Sequence, residues 1–313
     1  MKKFEITQET INYLGRNLYR IKAVRDFSDV KLGDLGGYIE KEGNLSHECN
    51  AWVFGNARVY GDALVSGNAR VYGNARVYGD ALVSGDAIVY GNARVSGDAL
   101  VSGNARVSGD ALVSGDARVS GDAHVSGDAQ VSGDAIVYGN AIVSDDAWVY
   151  GNAKVYGNAR VYGDSRVYGN AEVYGSARVS GSARVSGNAE VYGDAEVGLH
   201  AVVYGRARVS GIARVSGSAW VSGSAWVSGS ARVSGNARVY ERNEIVWFSN
   251  VGSENGTLTV FKSDSGLLVT RGCFYGSDTE FLDAVERTHG DNEHGQMYRL
   301  LIQAAQIKLK QSS

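Results

Sequence analysis

At 313 residues, with 42 Gly, no Pro and a formal net charge of −3, the chain has room for one to three domains and lacks the Pro content of a disordered linker. Cys49 and Cys273 are too few and too far apart for a disulfide scaffold, so a reducing, cytoplasmic location is expected. No apolar run approaches a membrane span, and the polar start Met1-Lys2-Lys3-Phe4-Glu5 opens no signal peptide, so neither a membrane contact nor a leader is expected.

Residues 1–32 keep to no period. Leu18 to Val24 alternates and reads as a strand, so a short β cap over 1–32 is expected to cover the open edge of the repeat region. A degenerate six-residue repeat starts near Gly33, with Ile39 and Leu45 in phase and Lys41 and His47 at nominally inward sites, the mark of an imperfect terminal repeat. From Ala51 to Arg242 the unit Ala-x-Val-[Tyr/Ser]-Gly-[Asn/Asp] recurs thirty-two times without insertion. A period of six excludes an amphipathic helix. Within each unit, alternation puts Ala and Val on one face and the variable residue with Tyr/Ser on the other. Gly-Asn or Gly-Asp then turns the chain, because Gly adopts backbone angles that other residues avoid and Asn/Asp bond nearby amides. Such a strand is too short to bury its apolar face alone, but coils stacked on coils bury it together.

The number of strands per coil is also legible. Leu64, Leu82 and Leu100 recur at a spacing of eighteen, as do Asp62, Asp80, Asp98, Asp116 and Asp134 at the corner site. Two or three hexads would both close a coil, and this spacing favours three: a triangular prism of about 11 coils over residues 51–242, within a β-helix domain expected to span 33–242. One region departs from the pattern: Leu199 stands at a corner Gly, and Arg206 and Ile212 stand at the next Asn/Asp sites, with the phase kept.

After Arg242 the repeat stops. Glu244 to Phe248 reads as a strand, and Thr257 to Phe261 with Leu267 to Thr270 as a hairpin around Ser263-Asp264-Ser265-Gly266. Ser277-x-x-Glu280 is a capping box opening a helix that Gly290 closes, and a second helix runs through Met297, Leu300, Leu301, Ala304 and Ile307. Residues 243–313 are therefore expected to form a small α+β cap.

The hexads resemble those of left-handed β-helix hexapeptide-repeat proteins, whose best-known members are acyltransferases. The resemblance implies an all-β, left-handed parallel β-helix and, commonly, a homotrimer. The stretches Leu18-Tyr19-Arg20-Ile21-Lys22-Ala23 and Gly33-Asp34-Leu35-Gly36-Gly37-Tyr38-Ile39-Glu40 are similar to phage and prophage proteins akin to the YdcK-like group, which is assigned to acetyltransferases by fold. In the transferases a His acts as general base and acetyl-CoA lies between prisms. Of His47, His124, His200, His289 and His294, the fallback for that role is His124, at an outward site on the regular prism. No loop interrupts 51–242 to shape a pocket, so no catalytic residue and no cofactor is expected outside the transferase alternative. A related carbonic anhydrase family binds metal through three His; here Arg106 and Ile142 flank His124 at coil spacing, and no metal site is expected.

Binding is the better prospect. Residues 51–152 carry six Arg against eleven Asp, a balance of −5, whereas 153–242 carry eleven Lys/Arg against six Asp/Glu, a balance of +5. Arg208, Arg214 and Arg232 stand in the neighbourhood of Trp220 and Trp226, a pairing suited to an anionic ligand or host macromolecule. Leu64, Leu82 and Leu100, extended past Arg118 by Ile136, form an apolar strip suited to a trimer interface. The function expected is that of a non-catalytic structural or binding protein of phage or prophage type. An acetyl- or acyltransferase is the alternative, and a virion fibre component the second.

Overall fold

The computed structural model describes residues 2–263 and 266–310, so Asp264 and Ser265 of the expected hairpin turn lie outside the described residues. The protein is a parallel β-solenoid of about 11 coils with a small C-terminal α+β region. It divides into two compact units, Met1–Gly163 and Asp164–Ser313, a boundary that falls within the repeat.

In the first unit, residues eighteen apart pair in parallel: Arg76 with Arg94, Leu82 with Leu100, and Ile88 with Arg106. Each coil thus gives one two-residue strand to each of three sheets. The first sheet runs through Arg58–Val59 to Trp148–Val149, the second through Trp52–Val53 to Arg160–Val161, and the third through Leu64–Val65 to Lys154–Val155. Every hexad Val and nearly every hexad Ala has no exposed surface, as the alternation requires. Ladder bonds join successive coils: Arg94 N–H donates to Ala111 (2.9 Å), Ser96 to Val113 (2.9 Å) and Asp86 to Gly103 (2.8 Å). A Pro at these sites would delete a donor, which accounts for a chain without any.

The corners explain the glycines. Gly103 sits at φ 66°, and a Cβ there would lie 2.9 Å from the backbone nitrogen of Gly121 in the next coil. Asp145 (φ 58°) and Leu199 (φ 56°) hold this conformation without being Gly. Asp145 is compensated, because its Oδ2 accepts from Gly163 N–H at 3.1 Å. The Leu199 coil keeps its ladder, with Ser182 N–H donating to Leu199 at 2.7 Å.

Corner side chains form ladders of their own. Asn50 donates to Asn68 and Asn68 to Asp86, at 3.1 and 3.0 Å. Where acids stack, charge opposes charge: burial, then the charges of Asp116 and Asp80, push the Asp98 carboxyl above its ordinary 3.8. A group raised in the folded state contributes stability below its unfolded value and loses it as pH rises. Asp98→Asn, which copies Asn152 at the same register, is therefore expected to melt higher than wild type at pH 7, with the difference gone at pH values well under 3.8. Paired thermal melts at the two pH values check this; equal melting at pH 7 would mean the ladder carries no net repulsion.

At the N-terminus the cap contains a hairpin that the sequence pattern reveals only in part. Strand β1 (Phe4–Tyr13) pairs antiparallel with β2 (Arg16–Ala23), which pairs antiparallel with β3 (Leu35–Ile39); β3 then pairs parallel with Arg58–Val59 and opens the first sheet. Trp52 occupies an outward site yet is 1% exposed, because Phe27 and Phe4 cover it with ring centroids 5.3 and 6.4 Å away. Lys41 and His47 do not fill the interior. Lys41 pairs with Asp62, and His47 stacks on Phe4 at 4.2 Å and meets Glu42 at 2.7 Å. Lys3 is fully buried, donates to the Glu48 carbonyl at 3.3 Å, and is pulled by burial down to about 8.

In the second unit the same three-strand coil continues through Arg238–Val239. There a four-stranded antiparallel sheet (Ile245–Val251, Gly256–Ser263, Gly266–Arg271, Phe274–Ser277) and helices α1 (Asp278–His289) and α2 (Glu293–Lys310) enclose a separate core of Leu258, Val260, Val269, Phe281, Val285 and Ile302. The Ser277/Glu280 capping box and the Gly290 helix end form as expected: Glu280 N–H donates to Ser277 Oγ at 3.1 Å and Gly290 N–H to Glu286 at 3.0 Å. This region also satisfies backbone groups that the last coils would leave without partners. Arg232 N–H donates to Thr259 Oγ1 (3.0 Å), and Thr270 Oγ1 donates to the Arg232 carbonyl (2.8 Å), with both threonines buried.

Candidate anion-binding site

The residues expected to bind a ligand part company in the structure, because a step of six moves a side chain to another sheet and only a step of eighteen stacks it. Arg208 pairs with Trp226, Arg214 with Arg232, and Trp220 with Val202 and Arg238, so the five stand on three different sheets. Each tryptophan has local company. Arg238 lies over Trp220 at 5.7 Å, Arg242 lies over Trp226 at 5.0 Å, and Trp226 Nε1 donates to Ser210 Oγ at 3.2 Å. Arg208 is engaged by Glu190 at 3.1 Å, the same carboxylate to which Tyr174 donates at 3.3 Å. Burial, then the Glu190 charge, pushes the Tyr174 phenol up to about 12, so it remains a donor at neutral pH.

Arg214 and Arg232 do come together. They line a groove of about 270 Å³ with Ser216, Ser234, Thr270, Gly272, Cys273, Phe274 and Tyr275. The solenoid supplies the two arginine–serine columns, one coil apart. The turn between the strands Gly266–Arg271 and Phe274–Ser277 supplies the facing wall. Thr259 and Thr270 pin the backbone of Arg232, and Tyr275 packs against Gly235, where a Cβ would come 2.2 Å from the ring. The Tyr275 hydroxyl accepts from Asn236 N–H at 3.3 Å.

Electrostatically the groove is one-sided, since no carboxylate is among its lining residues. Glu196 meets Arg214 at Nε, 3.2 Å away, and is shared with Arg178 at 3.7 Å. Arg232 is exposed, and its guanidinium has no ion-pair or hydrogen-bond partner among the described residues. Two guanidinium forks one strand spacing apart, about 4.8 Å, with stacked serine hydroxyls, suit an anionic oxygen cluster. Of the five residues expected to bind a ligand, Arg214 and Arg232 line this groove; Cys273, Phe274 and Tyr275, which the sequence does not single out, line it too, and their position depends on how the terminal sheet seats on the last coils.

A second cavity of about 340 Å³ adjoins Cys273 and Phe274 and is lined also by Arg271, His289 and Tyr298. There Arg271 is already satisfied, by Tyr298 Oη (2.9 Å), the Val251 carbonyl (3.0 Å) and Glu254 (3.7 Å).

The other candidates fall where their spacing put them. His124 is half-buried on the second sheet between Arg106 and Ile142. No group of three or more His, Cys, Asp or Glu side chains placed to hold a metal ion occurs among the described residues. Leu64, Leu82 and Leu100 stack directly on the third sheet, followed by Arg118 and Ile136; the aliphatic four are half-buried and Arg118 is exposed. Arg58 and Arg76 stack on Tyr13 of the N-terminal hairpin, at 4.3 and 5.9 Å, while Tyr60 and Tyr78 stack on each other at 5.0 Å. No helix is long and apolar enough to cross a membrane among the described residues.

No curated protein matches the chain at a significant level. The profile of the family described as YdcK Beta solenoid repeat matches it in overlapping stretches that together cover 51–127, 129–151 and 153–181. The repeat region is thus similar in sequence to the YdcK beta solenoid repeat, and the chain is a β-solenoid repeat protein.

Proposed function

We propose that the protein is a non-catalytic binding protein of phage or prophage type, in which the solenoid is a rigid support and an anionic ligand is held in the groove between Arg214 and Arg232. The observation that carries this reading is the Arg232 guanidinium, exposed and without a partner among the described residues, beside Arg214, whose one ion pair is with Glu196 outside the groove lining. The uninterrupted hexads from 51 to 242 support a scaffold role, and the phage-like ends support the source. A cytoplasmic location belongs to the same reading.

The test is a titration of the full chain with inorganic pyrophosphate. Loss of a charge-assisted contact of about 1.5–3 kcal/mol is expected to weaken binding roughly ten- to a hundredfold in Arg232→Glu. Arg94→Glu, an exposed outward site of the first unit, is the control and is expected to bind as wild type does. Equal weakening in both variants would point to diffuse charge attraction and sink the groove. Acetyl-CoA turnover that collapses in His124→Ala would replace the binding reading with the transferase.

Self-association through the third sheet completes the reading. Stacked Leu64, Leu82 and Leu100 beside Ser66, Ser84 and Ser102 support a flat apolar face on which copies meet as a trimer. Covering the exposed remainder of each Leu adds part of the roughly 1.5–3 kcal/mol that full burial gives. Leu82→Lys is expected to dissociate the assembly at micromolar concentration, read by light scattering. A monomeric wild type, or a Lys variant that assembles unchanged, contradicts it.

A further inference from the structure

The wall of the groove adds an aromatic half to the arginine half. We infer that the ligand is a phosphate ester of a small aromatic or heteroaromatic molecule, of nucleoside monophosphate size; this rests on the anionic-groove reading and goes further by naming the ligand class. Three observations carry it. First, Arg232 is without a partner among the described residues and Arg214 meets Glu196 through Nε at 3.2 Å, so guanidinium N–H groups remain to fork onto phosphoryl oxygens. Second, Tyr275 is 43% exposed while it packs against Gly235, so part of its ring faces solvent at the groove wall. Third, the groove, at about 270 Å³, exceeds what a bare phosphate occupies and is of the size a small phosphate ester fills. Stacking on an aromatic ring is indifferent to which base is offered, so the site selects phosphate plus ring rather than a particular base.

The experiment is isothermal titration of the full chain with adenosine monophosphate, ribose 5-phosphate, adenosine and pyrophosphate. Adenosine monophosphate is expected to bind one site per chain, about tenfold or more tighter than ribose 5-phosphate, because only the nucleotide offers a base to stack on the Tyr275 ring. Arg232→Gln is expected to weaken the nucleotide at least about tenfold and leave the weak adenosine binding unchanged. Tyr275→Ala is expected to bring the nucleotide to the level of ribose 5-phosphate without changing ribose 5-phosphate itself. Because Tyr275 also packs on Gly235, melting of that variant is followed in parallel; Arg232→Gln removes no described side-chain contact and carries the test if Tyr275→Ala unfolds. Nucleotide binding no tighter than ribose 5-phosphate, or insensitive to Arg232→Gln, overturns the inference. If pyrophosphate still binds through Arg232 in that case, the anionic groove stands and only its aromatic half is wrong. If wild type binds neither, both readings fail.

Discussion

Val119→Asp is expected to be the most damaging single substitution in the repeat. Val119 has no exposed surface and pairs with Val101 and Val137 on successive coils. An unpaired carboxylate there has no donor within reach, since the ladder bonds use the neighbouring amides, and its burial costs several kcal/mol. The carboxyl will respond by protonating, so its folded pKa lies above the unfolded value. Stability contributed by such a group is present below the unfolded pKa and lost as pH rises, so the deficit against wild type widens from about pH 3 to pH 7. In a solenoid the damage propagates through nearest neighbours, so hydrogen exchange at Val101, Val137 and the substituted position itself should accelerate before that of distant coils. Val119→Ala, which removes only volume, should cost about 2 kcal/mol with no such pH dependence. A Val119→Asp protein with wild-type melting at pH 7 would mean that the Val face does not point inward.

Gly103→Val is expected to come close behind. A β-branched residue in the left-handed region costs about 1–2 kcal/mol from its own backbone. Here its Cβ also meets backbone atoms of Gly121, at 2.9 Å from N and 3.1 Å from O, which no side-chain rotation relieves. The combined loss should be about 3 kcal/mol or more. Gly103→Asp should be tolerated better, because Asp145, at the same hexad position on another corner, shows that a carboxylate there can accept the amide of the next coil. Chemical denaturation of the two variants reads the difference; equal losses would mean that backbone conformation alone, and not the close approach of coils, selects Gly.

How much could be read from the residues alone depends on which interactions are periodic. What the coil repeats was legible: the inward Ala and Val, the glycine corners and the stacking of Leu64 on Leu82, because a spacing of eighteen is itself the contact map of a three-strand coil; the same spacing stacks Arg214 on Arg232, a pairing not drawn from the sequence. The same arithmetic shows why Arg208, Trp220 and Trp226 do not join Arg214 and Arg232: neighbours at six or twelve residues stand on other sheets. The illegible part rests on non-periodic packing. Strand β1 carries one buried apolar residue, Phe4, among largely polar neighbours, so its sequence holds little alternation to read. The burial of Trp52 required knowing that Phe27 folds over it. The wall of the groove required knowing that Thr259 and Thr270 complete the backbone bonds of Arg232, which places Cys273 and Tyr275 opposite the arginines.

The measurement that bears most directly on the central claim is a crystal structure of the full chain soaked with pyrophosphate at a concentration near its solution dissociation constant. The account predicts one well-occupied anion in the groove, with phosphoryl oxygens at about 2.7–2.9 Å from guanidinium nitrogens of Arg232 and Arg214. An empty groove, with the anion instead on exposed arginines elsewhere such as Arg184 or Arg206, would contradict it.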